Sequence, residues 1–415
     1  MNNSNLVVFL YPIAIHKKFH YLCKMKRIIL FLICLTFGFG LQAQIKLSDD
    51  AYVTLLTGGA TQEESFTVYG HTAIRVVDPI LHLDYLFNYG IFDFSKPHFI
   101  YRFAKGQTDY KLGINRYTDY VKDCQRRGAS LKEQRLNLTP SEVRFIWGKL
   151  VLNAAPENAV YRYNFFFDNC ATRPAKLIEK SLGDRINYDF SDAPKTTFRQ
   201  MINHCTRFKP WLTFGCDLVL GMPTDNITQP KEQFFLPAYL NQALDHTTIK
   251  DFNGKTRPLV KSERLVVKAR TEASTNSGFT PSVVGFILLL IVLMLTRMDW
   301  KTGKWQRAID FTLFLLAGMA GSLLAFIAFA SEHPCVFPNL NLLWLHPFHL
   351  AGAVLFCVKR WKIPAFYYHF INFAALCILI VCWILLPQHV NITFIPLVLC
   401  LMVRSLYALR HKYVK

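Results

Sequence analysis

Two side chains far apart in the chain are of the types that acyl transfer needs. Cys170 stands in Asp168-Asn169-Cys170-Ala171-Thr172-Arg173, where a helix is expected to begin, and His71 follows Tyr69-Gly70 at the head of an apolar strand. Free N–H groups and the dipole at a helix start stabilise a thiolate, and Arg173 would add positive charge beside it. The same N–H groups can hold an oxyanion. An imidazole facing such a thiol is a base–nucleophile pair. Asp84 and Asn88 on the next strand are candidates to orient the imidazole, and Asn169 and Tyr69 are further candidates for orientation or the oxyanion. Each has a plainer reading: a lone thiol is most often a small buried hydrophobe, and a strand histidine is most often a satisfied core or surface residue. Cys205 and Cys216 could join as a disulfide in an oxidising compartment, and Cys124 lacks the helix-start setting. With no CxxC pair and no zinc-like spacing, neither a metal nor a cofactor is expected.

The elements that must position these residues read as α+β. Strands are predicted at Tyr52–Thr57, His71–Val77 and Leu83–Phe92. Thr139-Pro140-Ser141-Glu142 has the form of a capping box with proline at the first helical position, predicting a helix to about Asn153. Ala171, Leu177, Ile178 and Leu182 recur at helical spacing up to Gly183. Further helices are expected at about 195–204 and 236–246, and the Ser/Thr-rich stretch ending at Ser277 reads as a tether.

The ends of the chain belong to a different regime. Met25-Lys26-Arg27, an apolar run and Leu41-Gln42-Ala43 form a signal-peptide pattern, which would export the domain after it. Beyond Gly278 five apolar runs approach bilayer length, at about 279–296, 308–330, 346–358, 365–386 and 391–407. Arg297, Lys301, Lys304 and Arg307 lie between the first two, Lys359, Arg360 and Lys362 between the third and fourth, and Arg404, Arg410, Lys412 and Lys415 near the end. The loops 331–345 and 387–390 hold no Lys or Arg. That asymmetry puts the basic loops and the C-terminus in the cytoplasm and the Cys/His domain outside, as the signal peptide also does. The net charge is +19; much of the basic excess beyond Gly278 is thereby explained by topology, and no nucleic-acid partner is expected. The expected division is 1–43 extension and signal peptide, 44–256 exported domain, 257–278 tether and 279–415 membrane helices.

Several runs together resemble one family. Tyr69–Val76, Asn88-Tyr89-Gly90-Ile91-Phe92-Asp93-Phe94, Tyr163-Asn164-Phe165-Phe166-Phe167 leading into Asp168–Arg173, then Ser331-Glu332-His333-Pro334 and Asn341-Leu342-Leu343-Trp344 are similar to the Bacteroidetes-type lipoprotein N-acyltransferases. Ala175 departs from the pattern, where an arginine is expected. The resemblance implies a circularly permuted papain-like (NlpC/P60-like) periplasmic domain, in which histidine precedes cysteine, followed by a transmembrane bundle. It implies Cys170 and His71 as catalytic residues and acyl transfer from a phospholipid donor to the α-amine of a diacylated lipoprotein acceptor at the inner membrane. Arg173, Phe165, Phe166, Phe167, His333, Asn341 and Trp344 are then candidates to face substrate or lipid. The alternatives are a tethered cell-wall cysteine peptidase or amidase, whose core would look the same, and a phospholipase, which would share the first half of the reaction.

Overall fold

A computed structural model describes residues 45–92, 97–251, 253–270 and 278–411. The signal peptide, Asp93 and Phe94, the tether residues 271–277, and Lys412 and Lys415 lie outside the described residues.

In chain order the first half runs β1 (Tyr52–Gly58), β2 (His71–Asp78), β3 (Leu83–Ile91), α1 (Phe99–Ala104), β4 (Asp109–Arg116), α2 (Tyr117–Arg127), β5 (Leu131–Leu136), α3 (Pro140–Ala154), β6 (Val160–Arg162), α4 (Thr172–Leu182), β7 (Ile186–Asn187), α5 (Phe198–Thr206), α6 (Pro210–Val219), α7 (Pro237–Asp245), β8 (Thr248–Lys250), β9 (Thr256–Pro258) and β10 (Val260–Val267). Seven strands form one sheet in the order β10-β5-β1-β2-β3-β4-β6, every pairing antiparallel, so β2 is its central strand. A small sheet joins β7, β8 and β9. The domain is therefore α+β, as the sequence predicts. The expected tether at 257–278 is corrected in its first part. Arg257 and Pro258 belong to β9, and β10 pairs with β5 as an edge strand of the main sheet.

Side chains alternate across a strand. Ile74, Val76, Phe87 and Tyr89 enter one core with Ile146 and Leu150 of α3 and Ala175 and Ile178 of α4. Ala73 and Leu86 enter a second core on the other face, with Tyr120 and Cys124 of α2. The predicted capping box is formed: Thr139 and Glu142 exchange side-chain and backbone bonds at the head of α3.

The second half holds α8 (Pro281–Thr302), α9 (Arg307–Ala330), α10 (Phe348–Cys357), α11 (Lys362–Cys382) and α12 (Ile395–Arg410). Counting the short turns that continue α10, α11 and α12, five helical segments among the described residues are long and apolar enough to cross a membrane, at Pro281–Thr302, Arg307–Ala330, Leu340–Cys357, Lys362–Leu385 and Ile392–Arg410. Fully buried Arg404 ties three of these helices together, bonding Asp299 and Thr296 at 3.0 Å each and also Asp310. Ionised groups at such a place persist only when paired.

Residues Leu47–Lys415 form one compact unit, and α6 is one of the joints between its halves. The last carbonyls of a helix lack intrahelical donors. Here Asn339 Nδ2 donates to the Leu218 and Val219 carbonyls, and Asn341 Nδ2 donates to those of Asp217 and Leu218. Fully buried Asp217 accepts from Arg199 at 3.1 Å and from Asn391 at 2.6 Å.

Candidate active site

His71 is the first residue of β2 and Asn88 lies near the end of β3; both have the parity of the face that α2 covers. Cys170 packs with the opposite core, just before α4. The two faces meet at the end of the sheet, where a bulge interrupts β3 between Asn88 and Ile91. Gly90 sits in that bulge at φ +93°, and a Cβ there would lie 3.6 Å from the Cys170 Cβ. A positive φ of this kind favours glycine, and its bare surface lets the thiol reach the imidazole past the strand.

The Cys170 thiol and the His71 ring are close enough to shift each other's titration. On its other side the ring bonds through Nε2 to Asn88 Oδ1. An amide oxygen only accepts, so Nε2 carries the proton and Nδ1 is the basic nitrogen. Burial by itself disfavours the imidazolium, but the charge of Cys170 and the bonds to Cys170 and Asn88 outweigh it, holding His71 above its ordinary value. Burial likewise opposes the thiolate, yet the charge and hydrogen bond of His71, with the N–H groups of Thr72 and Cys170, bring Cys170 below its ordinary value. Among the described residues, the other thiols outside the spans move the opposite way: burial raises Cys124, Cys216 and Cys335, and pushes Cys205 up to about 11. A thiol lowered by a basic neighbour is suited to nucleophilic chemistry, which the raised thiols are not.

Other candidates fall elsewhere. Asn169 is buried and saturated: Nδ2 donates to the Phe165 and Phe235 carbonyls, and Oδ1 accepts from Ala171 and Thr172 N–H. It pins the turn leading into α4, which begins at Thr172 with Ala171 as its N-cap, and it has no side-chain donor left for an oxyanion. The expected helix-start donors are thus partly occupied, and the N–H of Thr72 faces the sulfur instead. Asp84 is held by a two-pronged ion pair with Arg75 at 2.7 and 2.8 Å, so it does not orient His71. Tyr69 turns its hydroxyl to Cys216 at 3.9 Å and its ring to Phe165. Arg173 pairs with Asp168 at 2.8 Å and lies over the Tyr161 ring at 3.4 Å, not on the thiol. Cys205 and Cys216 are free thiols, not a disulfide.

The candidate lipid-facing residues divide. Phe166, Asn341 and Trp344 are buried and cannot face lipid: Phe166 packs between Phe198 and Phe235, and Trp344 stacks near Phe394 and donates to Asn341. Phe165 packs on Tyr69 and Phe235, Phe167 is exposed, and His333 is bonded through Nε2 to the Phe103 carbonyl at 2.6 Å. Sequence reasoning gave no individual role to Thr72, Gly90 or Tyr163. A glycine inside a strand pattern is the available signal for a bulge, whereas nothing in the local sequence marks the N–H of Thr72.

A cleft of about 470 Å³ opens on the α2 face of this site, its wall including His71, Asn88, Gly90 and Tyr120. Its charged lining is Glu63, Glu64, Asp119 and Asp123 against Arg126 and Arg127. Fold and site together define an α+β domain with a thiol–imidazole–amide constellation, seated on an apolar helical bundle.

Models of two parts of one family match this chain: the Lnb N-terminal periplasmic domain over residues 42–204 and the Lnb transmembrane domain over residues 272–415. The chain belongs to the Lnb family, the Bacteroidetes lipoprotein N-acyltransferases. It is a membrane protein with a periplasmic N-terminal domain, and its family implies an acyltransferase acting in lipoprotein N-acylation. No curated protein and no solved structure matches it.

Proposed function

We propose that this protein moves an acyl chain from a phospholipid, through a thioester on Cys170, to the α-amine of a diacylglyceryl-cysteine lipoprotein. The thiol–imidazole–amide line of Cys170, His71 and Asn88 carries the reading. The Cys170 thiolate attacks the ester carbonyl, and the tetrahedral oxyanion is received by the N–H groups of Cys170 and Thr72. Collapse breaks the ester C–O bond. The leaving alkoxide takes the proton from the His71 imidazolium and departs as lysophospholipid. The acceptor amine then attacks the thioester and gives a proton to His71, and the thiolate leaves as the amide forms. An α-amine has a pKa of about 8, so a useful fraction is neutral near pH 7. The cleft suits this acceptor, because its carboxylates outnumber its guanidiniums and attract a cationic N-terminus to the wall that holds His71.

The sheet that brings histidine before cysteine fits a permuted papain-like core. The basic loops support an inner-membrane bundle with its C-terminus in the cytoplasm. Both substrates are lipids, and confinement at one bilayer raises their effective concentration.

The test is mass spectrometry of the purified full chain in phospholipid vesicles. An acyl adduct is expected on Cys170 and absent in Cys170→Ala; an adduct that persists in that variant ends the mechanism. The same cleft would also admit a peptide, as a cell-wall peptidase requires. Cleavage of peptidoglycan fragments without any Cys170 acyl adduct would favour that reading.

A further inference from the structure

Antiparallel neighbours are usually joined by two to five residues. Between β3 and β4 the chain instead makes an excursion over 92–108 that carries α1. None of the six residues of α1 is buried, and its large apolar side chains are widely exposed: Ile100 84%, Tyr101 55% and Phe103 52%. Yet α1 is firmly held. The Glu332 N–H donates to the Lys105 carbonyl at 2.8 Å, and His333 Nε2 bonds the Phe103 carbonyl. Glu332 also accepts from Gln107 at 2.6 Å and from Arg162 at 2.7 Å. Gly106, at φ +73°, lies so close to this loop that a Cβ would sit 2.8 Å from the His333 nitrogen. The Ser331-Glu332-His333-Pro334 motif is therefore a clamp that fastens α1 to the end of α9.

The level at which it is fastened says what covers it. The Tyr101 ring lies 6.2 Å from Phe326, four residues before the last residue of α9. At about 1.5 Å per residue that is roughly 6 Å inside the end of a membrane span. Helices lying in the interface bury their apolar face about 5–10 Å deep. Phe329, three residues after Phe326 in α9, pairs with Phe337 at 5.1 Å, and both are exposed. On the other side, Arg102 of α1 pairs with Asp109 at 2.7 Å, next to Tyr110 in a run of aromatic rings that ends at the thiol. Phe92 packs on Tyr110, Tyr110 stacks on Tyr163 at 4.1 Å, and the Tyr163 ring and Cys170 both border Gly90.

We propose that α1 is the lipid-entry element of the enzyme: it rests among the acyl chains of the outer leaflet and delivers a phospholipid chain along Tyr110 and Tyr163 to Cys170. The occupant of its exposed face is a phospholipid of the surrounding bilayer. This rests on the topology and the acyl-enzyme chemistry given above.

Two measurements on the full chain in phosphatidylethanolamine–phosphatidylglycerol vesicles test it. A photo-crosslinking benzophenone side chain placed at Ile100 should form a phospholipid adduct, while the same group at exposed Leu152 of α3 should form none. Absence of the lipid adduct at Ile100 overturns the placement. In Ile100→Asp/Phe103→Asp, acylation of Cys170 from vesicle phospholipid should slow at least about tenfold, since a carboxylate in hydrocarbon costs more than 1.4 kcal/mol. Acylation from a water-soluble short-chain ester should not change. Wild-type speed from vesicles in that variant overturns lipid entry here while leaving the Cys170 mechanism intact. If wild-type protein acylates Cys170 from neither donor, the proposed reaction fails instead, and the crosslink alone decides where α1 lies.

Discussion

Replacing Asn169 by alanine separates a structural pin from a catalytic donor. The side chain satisfies four backbone groups, the carbonyls of Phe165 and Phe235 and the N–H groups of Ala171 and Thr172, with three of these bonds wholly buried. Each such bond contributes about 0.5–1.5 kcal/mol net, and a buried partner left unsatisfied costs about 1–3 kcal/mol. Some partners would be rehydrated, so the expected loss for Asn169→Ala is about 3–5 kcal/mol. A domain of 150–250 residues loses about 2–4 °C of melting temperature per kcal/mol, which predicts a fall of at least about 6 °C. Cys124 reports this well, being fully buried between α2 and the sheet. Its maleimide labelling would be followed against temperature by peptide mass spectrometry on the detergent-solubilised chain. A midpoint within about 2 °C of wild type, together with loss of Cys170 acylation, would refute the structural role and return Asn169 to the oxyanion site.

Two further outcomes rest on the same geometry. His71 titrates above its ordinary value and Cys170 below its own, each chiefly through the charge of the other, so the ring favours the thiolate. Iodoacetamide labelling of Cys170 should therefore begin below the pH at which an ordinary thiol of pKa about 8.5 reacts, and in His71→Ala its onset should shift to higher pH. An unshifted onset would mean that the ring does not govern the thiol. Asp217→Ala strips a fully buried carboxylate from Arg199, Asn203 and Asn391. Removing one partner of a buried pair costs about 3–5 kcal/mol, and protease cleavage near α6 should appear at temperatures where wild-type protein resists.

The sequence was most informative where physics is local. Alternation, turn residues and the capping box located β1, β2, β3 and α3 because those signals act over a few residues. The five spans and the loop asymmetry were legible because bilayer thickness and charge impose themselves on composition. Cys170, His71 and Asn88 are of the types that a nucleophile, a base and its orienting group need. Their meeting depends on contacts made between distant segments. Register brings His71 to the end of the central strand, a bulge at Gly90 clears the approach, and Asn169 takes N–H groups that a bare helix start would offer.

Short polar motifs were the hardest to assign, because their partners lie far along the chain. Asn341 looked suited to lipid, yet it caps α6; Asp84 looked suited to His71, yet Arg75 holds it. By itself the sequence determined the kinds of segment and the chemistry available, since hydrophobic period and residue type are properties of the chain. Only the tertiary structure decided which donor meets which acceptor, because a hydrogen bond or ion pair depends on distance in space and not on spacing in sequence.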